Sequence, residues 1–264
     1  MKIECKDQLG RAISLIETPK RIISLNPLQT ETIVDLGLSE RLVGITKFCI
    51  HPKQLRKQKT IVGGTKKVSF KKIKELKPDI ILCNKEENTQ EIVETLAKEF
   101  PVHVTDIATI ADVIEMMNQY GLLFNKKKEA QQMCGQISSY FDELNTLLLE
   151  HTYKRAVYFI WKNPWMVVGG NTFIDFMLDL NKFENIYKNE ERYPMVTTEE
   201  LKKQDIDYIL LSSEPFPFKE QHLNELQKEL PNAKIKFVDG EYFSWYGSRL
   251  LKAFGYFKEL QLEL

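Results

Sequence analysis

The sequence predicts an α/β fold with two similar lobes built on mainly parallel sheets, joined by one long rigid α-helix, with a ligand cleft between the lobes. Three observations predict it. Apolar runs of strand length alternate with amphipathic helical segments, one long helical segment interrupts this alternation, and part of the first half recurs in the second. The predicted N-terminal lobe is residues 1–122, the connecting helix residues 123–152 and the C-terminal lobe residues 153–264.

The first lobe contains four apolar runs that predict buried strands, preceded by two short strands around the turn at residues 7–10. Helical patterns lie between these runs, and Gly37 is a stop signal for the first of them. The predicted strands are residues 21–25, 42–46, 80–83 and 102–105, and the predicted helices are residues 30–37, 70–76 and 89–99.

The middle segment, residues 126–151, has neither proline nor a strand pattern. Its apolar residues recur every three or four positions, which is typical of an amphipathic helix. These residues are Ala130, Met133, Ile137, Phe141, Leu144 and Leu148. A helix of about 24 residues is about 36 Å long, which suits a connection between two lobes. An ordinary long surface helix would have the same periodicity.

The second lobe resumes the alternation of strands and helices. Its predicted strands are residues 156–161, 208–211 and 234–238, and its predicted helices are residues 173–180, 198–203, 219–230 and 248–260. Residues 69–82 align with residues 197–210: in both segments a Ser or Thr cap opens a short helix, and an Asp leads into a buried strand. This repeat favours two similar lobes.

Composition excludes several classes of protein. Lys+Arg and Asp+Glu balance at 37 each, so no overall charge attracts nucleic acid. No apolar run approaches the roughly 20 residues that span a bilayer. The first residues have no apolar core, so a native start at Met1 predicts a cytoplasmic protein, unless a leader precedes it. The separated cysteines Cys5, Cys49, Cys83 and Cys134 are expected to be reduced core residues.

Four segments carry a family resemblance: residues 19–27 (PKRIISLNP), 37–45 (GLSERLVGI), 73–81 (IKELKPDII) and 184–201, which contains ENIY and VTTEEL. In order and spacing the chain resembles the substrate-binding proteins of ABC importers for vitamin B12, ferric siderophores and haem, and within this class the cobalamin binders. The resemblance covers about residues 15–260. It implies a monomer, periplasmic or lipid-anchored, that binds a small-molecule metal chelate for an ABC permease and has no intrinsic cofactor.

Ligands of such folds bind where strands end, and those loops carry all three tryptophans. The candidate ligand-binding residues are Phe48, His51, Thr65, Asn84, Trp161, Trp165, Arg192, Tyr193, Glu241, Tyr242, Trp245, Tyr246 and Arg249. The aromatic side chains would line the cleft or, alternatively, cover the strand ends. By resemblance, Phe48 and Trp161 match ligand-contacting aromatics, and Glu241 matches an acid at the cleft rim.

Two questions of chemistry stay open at these loops. Arg192 and Arg249 would hold an anionic group or pair with a neighbouring acid. Cys49 and His51 are expected to be a buried thiol and a hydrogen-bonding imidazole, and direct metal ligation is the alternative.

The sequence also allows expectations about docking to a permease and about catalysis. By resemblance, Glu199 matches a permease-docking glutamate, but the corresponding residue of the first lobe is Lys71, which would repel an arginine pocket. An intracellular corrinoid or haem carrier without a permease is therefore the alternative function. The sequence contains no nucleophile motif or phosphate loop, and Ser248 is interpreted as a helix N-cap, so no enzyme is predicted.

Overall fold

The computed structural model, which describes residues 2–264, contains two parallel β-sheets in two separate units of the chain. The first unit runs to Ile137 and also includes Tyr246–Arg249, and the second contains Ser138–Trp245 and Leu250–Leu264. The predicted α/β class, with two bodies built on mainly parallel strands, is confirmed. The division at Ile137 falls inside a 21-residue helix. The predicted domain boundaries at residues 122 and 152 stay predictions.

The first unit begins with an antiparallel hairpin, followed by a five-stranded parallel sheet with the order β5-β4-β3-β6-β7. In chain order its elements are β1 (Ile3–Lys6), β2 (Ala12–Leu15), β3 (Ile22–Ser24), α1 (Pro27–Asp35), β4 (Leu42–Thr46), α2 (Leu55–Gln58), β5 (Thr60–Gly63), α3 (Phe70–Glu75), β6 (Ile80–Asn84), α4 (Gln90–Ala97), β7 (Val102–Thr105), α5 (Ile110–Leu123) and the part of α6 (Lys127–Leu147) up to Ile137.

Strands β3 and β6 form the centre of this sheet, and every one of their residues is buried. Ile22 pairs with Ile80 and Ile23 with Ile81, so branched apolar side chains meet in register. Burial on both faces explains why these strands are continuous apolar runs rather than alternating ones.

The second unit has a four-stranded parallel sheet with the order β10-β8-β11-β12, and β9 pairs with β8 in the antiparallel direction. Its elements are β8 (Lys154–Trp161), β9 (Met166–Val167), α7 (Phe173–Leu180), β10 (Phe183–Asn185), α8 (Thr198–Leu201), β11 (Tyr208–Ser212), α9 (Glu220–Glu229), β12 (Lys234–Val238), α10 (Gly240–Ser244) and α11 (Leu250–Leu262).

The internal repeat extends to hydrogen bonds. One carboxylate oxygen of Asp79, before β6, accepts the backbone N–H of Arg21 at 2.9 Å, and Asp207, before β11, accepts that of Arg155 at 2.8 Å. Each arginine in turn donates its Nε–H to a backbone carbonyl in the segment before that aspartate. The repeated Asp therefore aligns the starts of two adjacent strands, a structural role that both units share.

The prediction of Ser248 as an N-cap is wrong. Helix α11 begins at Leu250, and Ser248 lies in the preceding 3₁₀ turn, Gly247–Arg249. The Ser248 N–H donates to the Thr32 hydroxyl of α1 at 3.2 Å, while the Ser248 hydroxyl is buried with no hydrogen-bond partner among residues 2–264. A tertiary contact, rather than helix capping, therefore fixes this serine.

Candidate functional site

Phe48 is the most exposed aromatic side chain at the strand ends of the first unit. It follows the carboxyl end of β4, and 48% of its surface is exposed. Its ring packs against Gly64, where an added Cβ would lie 3.1 Å from Phe48 Cε2. The Nζ atom of Lys47 lies 4.9 Å from the ring centroid. An aromatic ring is thus held in place but left open to a ligand.

Asn84 and Thr65 are buried, and their polar groups are used within the first unit. The Asn84 side-chain oxygen accepts the N–H groups of Glu86 and Glu87, both at 3.0 Å, and its amide nitrogen donates to Thr105. The Thr65 carbonyl accepts from Asn88 at 2.9 Å. These contacts hold the loops after β5 and β6, and direct ligand contact by Asn84 or Thr65 stays a prediction.

Cys49 is a buried thiol, as expected. Its Sγ lies 3.1 Å from the Thr30 hydroxyl and 3.3 Å from the Thr46 hydroxyl, and burial raises the pKa of the thiol. His51 follows two residues later and is half-buried. Within residues 2–264 no group of three His, Cys, Asp or Glu side chains is arranged to hold a metal ion.

Trp161 has the corresponding position in the second unit. It is the last residue of β8, 41% of its surface is exposed, and its ring meets Phe216 edge-on at 5.5 Å. Phe216 in turn contacts Phe218 at 4.8 Å and His222 at 5.3 Å. Sequence reasoning missed Phe216 and Phe218, although the run Pro-Phe-Pro-Phe soon after the carboxyl end of β11 was a signal.

Trp165 belongs to the same aromatic group but lies deeper. Its ring stacks on Phe218 at 6.1 Å with planes 8° apart, and it meets the buried Phe159 edge-on at 5.2 Å. Lys162 Nζ lies 4.6 Å from the Trp165 ring and forms an ion pair with Glu225. Trp165 therefore packs inside the aromatic group, while the Trp161 ring is exposed to solvent.

Glu214 fixes the indole of Trp245 in the second unit. Its Oε1 accepts the Trp245 Nε1–H at 2.6 Å and the Ser244 hydroxyl at 3.1 Å. Burial, and to a smaller extent the nearby Glu241 and Asp239, raises the pKa of the Glu214 carboxyl. Trp245 is itself buried, so its surface is not available in the way that of Trp161 is.

Arg249 is paired with an acid, which was one of the two roles expected for it. Its Nε and Nη2 each donate to one oxygen of Glu31 at 2.8 Å, and both side chains are buried. Tyr246, three residues earlier, is also buried, and burial raises the pKa of its phenol well above the ordinary value. These two residues belong to the first unit, although they were predicted within the second lobe.

The remaining candidates belong to the second unit. Arg192 is exposed and has a positive φ of 56°, Tyr193 is half-buried, and Tyr242 stacks on Tyr256 of α11 at 5.0 Å. The Glu241 carbonyl accepts the Trp245 N–H, which closes α10.

A cavity of about 340 Å³ lies elsewhere in the second unit, at the amino ends of its strands, and contains none of the predicted site residues. Among residues 2–264 no helix combines the length and apolar character needed to cross a membrane.

The family model for periplasmic binding proteins matches residues 22–238, which is most of the chain. The chain belongs to the periplasmic binding protein family. This family consists of binding proteins, the class of function that the sequence predicts; the expected absence of catalysis stays a prediction. The match includes both parallel sheets and both exposed aromatic residues, Phe48 and Trp161.

Named relatives within this family are distant. The chain is 25% identical over 245 residues to the vitamin B12-binding protein of Pectobacterium carotovorum, covering 89% of this chain and 86% of that protein. It is 24% identical over 215 residues to an uncharacterized ABC transporter substrate-binding lipoprotein of Bacillus subtilis, covering 77% of this chain and 67% of that protein.

Solved structures share the fold at low identity. The periplasmic vitamin B12-binding protein BtuF of Vibrio cholerae superimposes with a TM-score of 0.79 at 18% identity, covering 94% of this chain and 99% of that chain. CeuE of Helicobacter pylori gives 0.83 at 14% identity, covering 97% and 87%. The apo haem-binding protein RhuT of Roseiflexus gives 0.78 at 18% identity, covering 92% and 97%.

Proposed function

We propose that this protein is the substrate-binding component of an ABC importer and that it captures a metal chelate, either a corrinoid, haem or a ferric siderophore. The observation that carries the proposal is the exposure of Phe48 and Trp161 at the carboxyl ends of β4 and β8. The named relatives and the structures with the same fold include binders of vitamin B12 and haem, which supports this class of ligand.

Exposed aromatic surface at strand ends favours a broad, partly apolar ligand. Complete burial of a large apolar side chain contributes about 1.5–3 kcal/mol, so covering the exposed half of Phe48 or Trp161 contributes about 1 kcal/mol or somewhat more. Each ring is therefore worth about fivefold to tenfold in affinity, because 1.4 kcal/mol is one factor of ten. Each ring supplies useful binding energy but little specificity, which the proposal assigns to His51 in the first unit and to Arg192 and Glu241 in the second.

Titration of the purified protein with cobalamin, haem and a set of ferric siderophores tests the proposal. Tryptophan fluorescence and ligand absorbance should show saturable one-to-one binding by at least one of these chelates. Trp161→Ala should weaken that binding about tenfold. If none of these chelates bound to the folded wild-type protein, the proposed function would be wrong.

Tyr153→Ala is the matched control for Trp161→Ala. Tyr153 is an aromatic residue with 48% exposure, but it precedes β8 and so lies at the opposite edge of the same sheet. Its removal should leave ligand affinity unchanged. Equal losses in the two variants would show that the effect of Trp161→Ala is not a ligand contact.

Coupling to a permease is the second part of the proposal, and Glu199 on α8 is the residue assigned to it. Its side chain is 75% exposed and accepts from Lys202 at 3.0 Å. Lys71 has the corresponding place on α3 and is 87% exposed, so the two units present opposite charges there. An importer component works outside the cytoplasmic membrane, and the proposal therefore includes this location.

Uptake of the bound chelate by cells that carry the gene tests this coupling. Glu199→Arg should reduce uptake and leave chelate affinity unchanged, since Glu199 is an exposed residue of α8, the helix that precedes the amino end of β11. Unchanged uptake in this variant, with binding retained, would favour the permease-independent carrier.

A further inference from the structure

Several lysines follow the strand ends of the first unit, and they differ in their partners. Lys85, after β6, forms an ion pair with Asp106 at 2.5 Å. Lys66, after β5, donates to the Glu86 carbonyl. Lys47, directly after β4, is exposed and has no carboxylate partner among residues 2–264. Its positive charge is therefore available at this edge of the sheet.

Lys47 is also held in a defined place. Its backbone N–H donates to the Gly63 carbonyl at 2.8 Å, which ties it to the adjacent strand β5. Its Nζ lies 4.9 Å from the centroid of the Phe48 ring. A Cβ at Gly64 would lie 3.6 Å from Lys47 Cε and 3.1 Å from the Phe48 ring. The ammonium thus lies over the ring, and both side chains pack against the Gly64 backbone.

This pair has the chemistry of a carboxylate subsite. An exposed ammonium gains little from the face of a phenyl ring, so it can turn to a better partner. A ligand that covers Phe48 excludes water there, and this strengthens the attraction between Lys47 and a ligand carboxylate. An ester or amide at the same place would lack this attraction.

The acids on the loop after β6 are held by other groups. Glu87 forms a hydrogen bond with Thr65 and lies near Lys66, and burial raises the pKa of its carboxyl. Among residues 2–264, neither Glu86 nor Glu87 forms an ion pair with Lys47.

We propose that Lys47 binds a carboxylate of the ligand while Phe48 contacts its flat apolar part, so that the ligand is an anionic, carboxylate-bearing chelate. This inference rests on the proposed function and narrows its ligand class. Among the chelates considered, haem and carboxylate siderophores carry such a group, whereas the side chains of cobalamin end in amides.

Pairs of ligands that differ only in whether carboxylate groups are free or blocked as an ester or amide test the proposal. One pair is haem and its dimethyl ester, both presented in mild detergent, and the other is a monocarboxylic acid derivative of cobalamin and cobalamin itself. Each is titrated into the wild type, Lys47→Met and Lys71→Met. Lys71→Met removes one exposed lysine charge from the same unit, on helix α3 and away from the strand ends, and is the matched control.

We expect the wild type to prefer the acid of the pair that binds. Lys47→Met should weaken the acid about tenfold, leave the ester or amide unchanged, and reduce the salt dependence of binding. Lys71→Met should bind like the wild type. Equal affinity of acid and neutral form, or an equal loss for both in Lys47→Met, would overturn this inference while leaving the proposed function intact. Failure of every chelate to bind, the ferric siderophores of the first titration included, would instead overturn the proposed function, and this inference with it.

Discussion

The buried ion pair between Arg249 and Glu31 should be the most sensitive side-chain contact of the first unit. Both side chains are only 7% exposed, and the two hydrogen bonds between them are 2.8 Å long. Arg249→Met removes the guanidinium and leaves the Glu31 carboxylate buried without its cation. Breaking a buried pair on one side typically costs about 3–5 kcal/mol, because the remaining charge loses its compensation.

We therefore expect Arg249→Met to lower the free energy of unfolding by about 3–5 kcal/mol. Urea unfolding followed by far-UV circular dichroism measures this loss in the helices and strands of both units. The three tryptophans, Trp161, Trp165 and Trp245, all belong to the second unit, so their fluorescence reports on that unit. A transition that moves further in circular dichroism than in fluorescence would place the damage in the first unit.

Two further variants make the reasoning refutable. The double variant Glu31→Met with Arg249→Met removes both charges, and its stability should exceed that of Arg249→Met alone, since apolar pairs often replace buried ion pairs without loss. Lys74→Met breaks the exposed pair with Glu99 and should cost at most about 1 kcal/mol. If Arg249→Met lowered the free energy of unfolding by no more than Lys74→Met does, the buried ion pair would contribute no more to stability than an ion pair on the surface.

Three other predictions follow from burial and backbone conformation. Burial lowers the pKa of His103, so the imidazole stays neutral in the folded protein. The free energy of unfolding should therefore fall as pH drops below about 6.5, the ordinary pKa that His103 has in the unfolded chain. His103→Phe keeps a ring against Tyr120 and should reduce this fall, measured as the urea midpoint at each pH. Burial raises the pKa of the Glu214 carboxyl above its ordinary value of about 4.5. The free energy of unfolding should therefore fall as pH rises from about 4.5 through the raised pKa, because the buried carboxyl then loses its proton. Glu214→Gln should remove this fall in the same urea measurements. Gly247 has a φ of +84°, and a Cβ at this position would collide with the Thr32 hydroxyl. Gly247→Ala should therefore lower the free energy of unfolding by about 1–3 kcal/mol and the thermal midpoint with it. Gly255→Ala, where a Cβ would meet no neighbouring atom, should lower neither.

Elements with strong signals at both ends could be predicted to the residue. Strands β4, β7 and β12 and helix α7 have the predicted bounds. Helix α5, in contrast, was not predicted, although Thr109 and Asp112 form a capping box at its start. The three-residue strand β10 is too short to carry a periodic pattern, and pairing with β8 rather than local preference makes it a strand.

The candidate site could be predicted only where exposure follows from position. Phe48 and Trp161 are exposed at the carboxyl edges of the sheets, where Phe48 lies two residues after β4 and Trp161 is the last residue of β8. Asn84 has an equivalent position but is buried, because its side chain caps the turn that follows β6. Arg249 is buried and paired with Glu31, which lies 218 residues away in sequence, and no local pattern shows such a pairing.

The segment around residues 244–249 shows why polar and aromatic residues near strand ends need separate measurements of ligand binding and of protein stability. Trp245 is bound to Glu214 within the second unit, and Arg249 is bound to Glu31 within the first. Replacing either residue breaks a buried contact, so a loss of ligand binding would follow from local unfolding as readily as from a lost ligand contact. Trp161 is exposed, and its replacement leaves no buried polar group without a partner. A loss of binding in Trp161→Ala with unchanged unfolding therefore identifies a ligand contact, whereas the same loss in Trp245→Ala or Arg249→Met first reports on the fold.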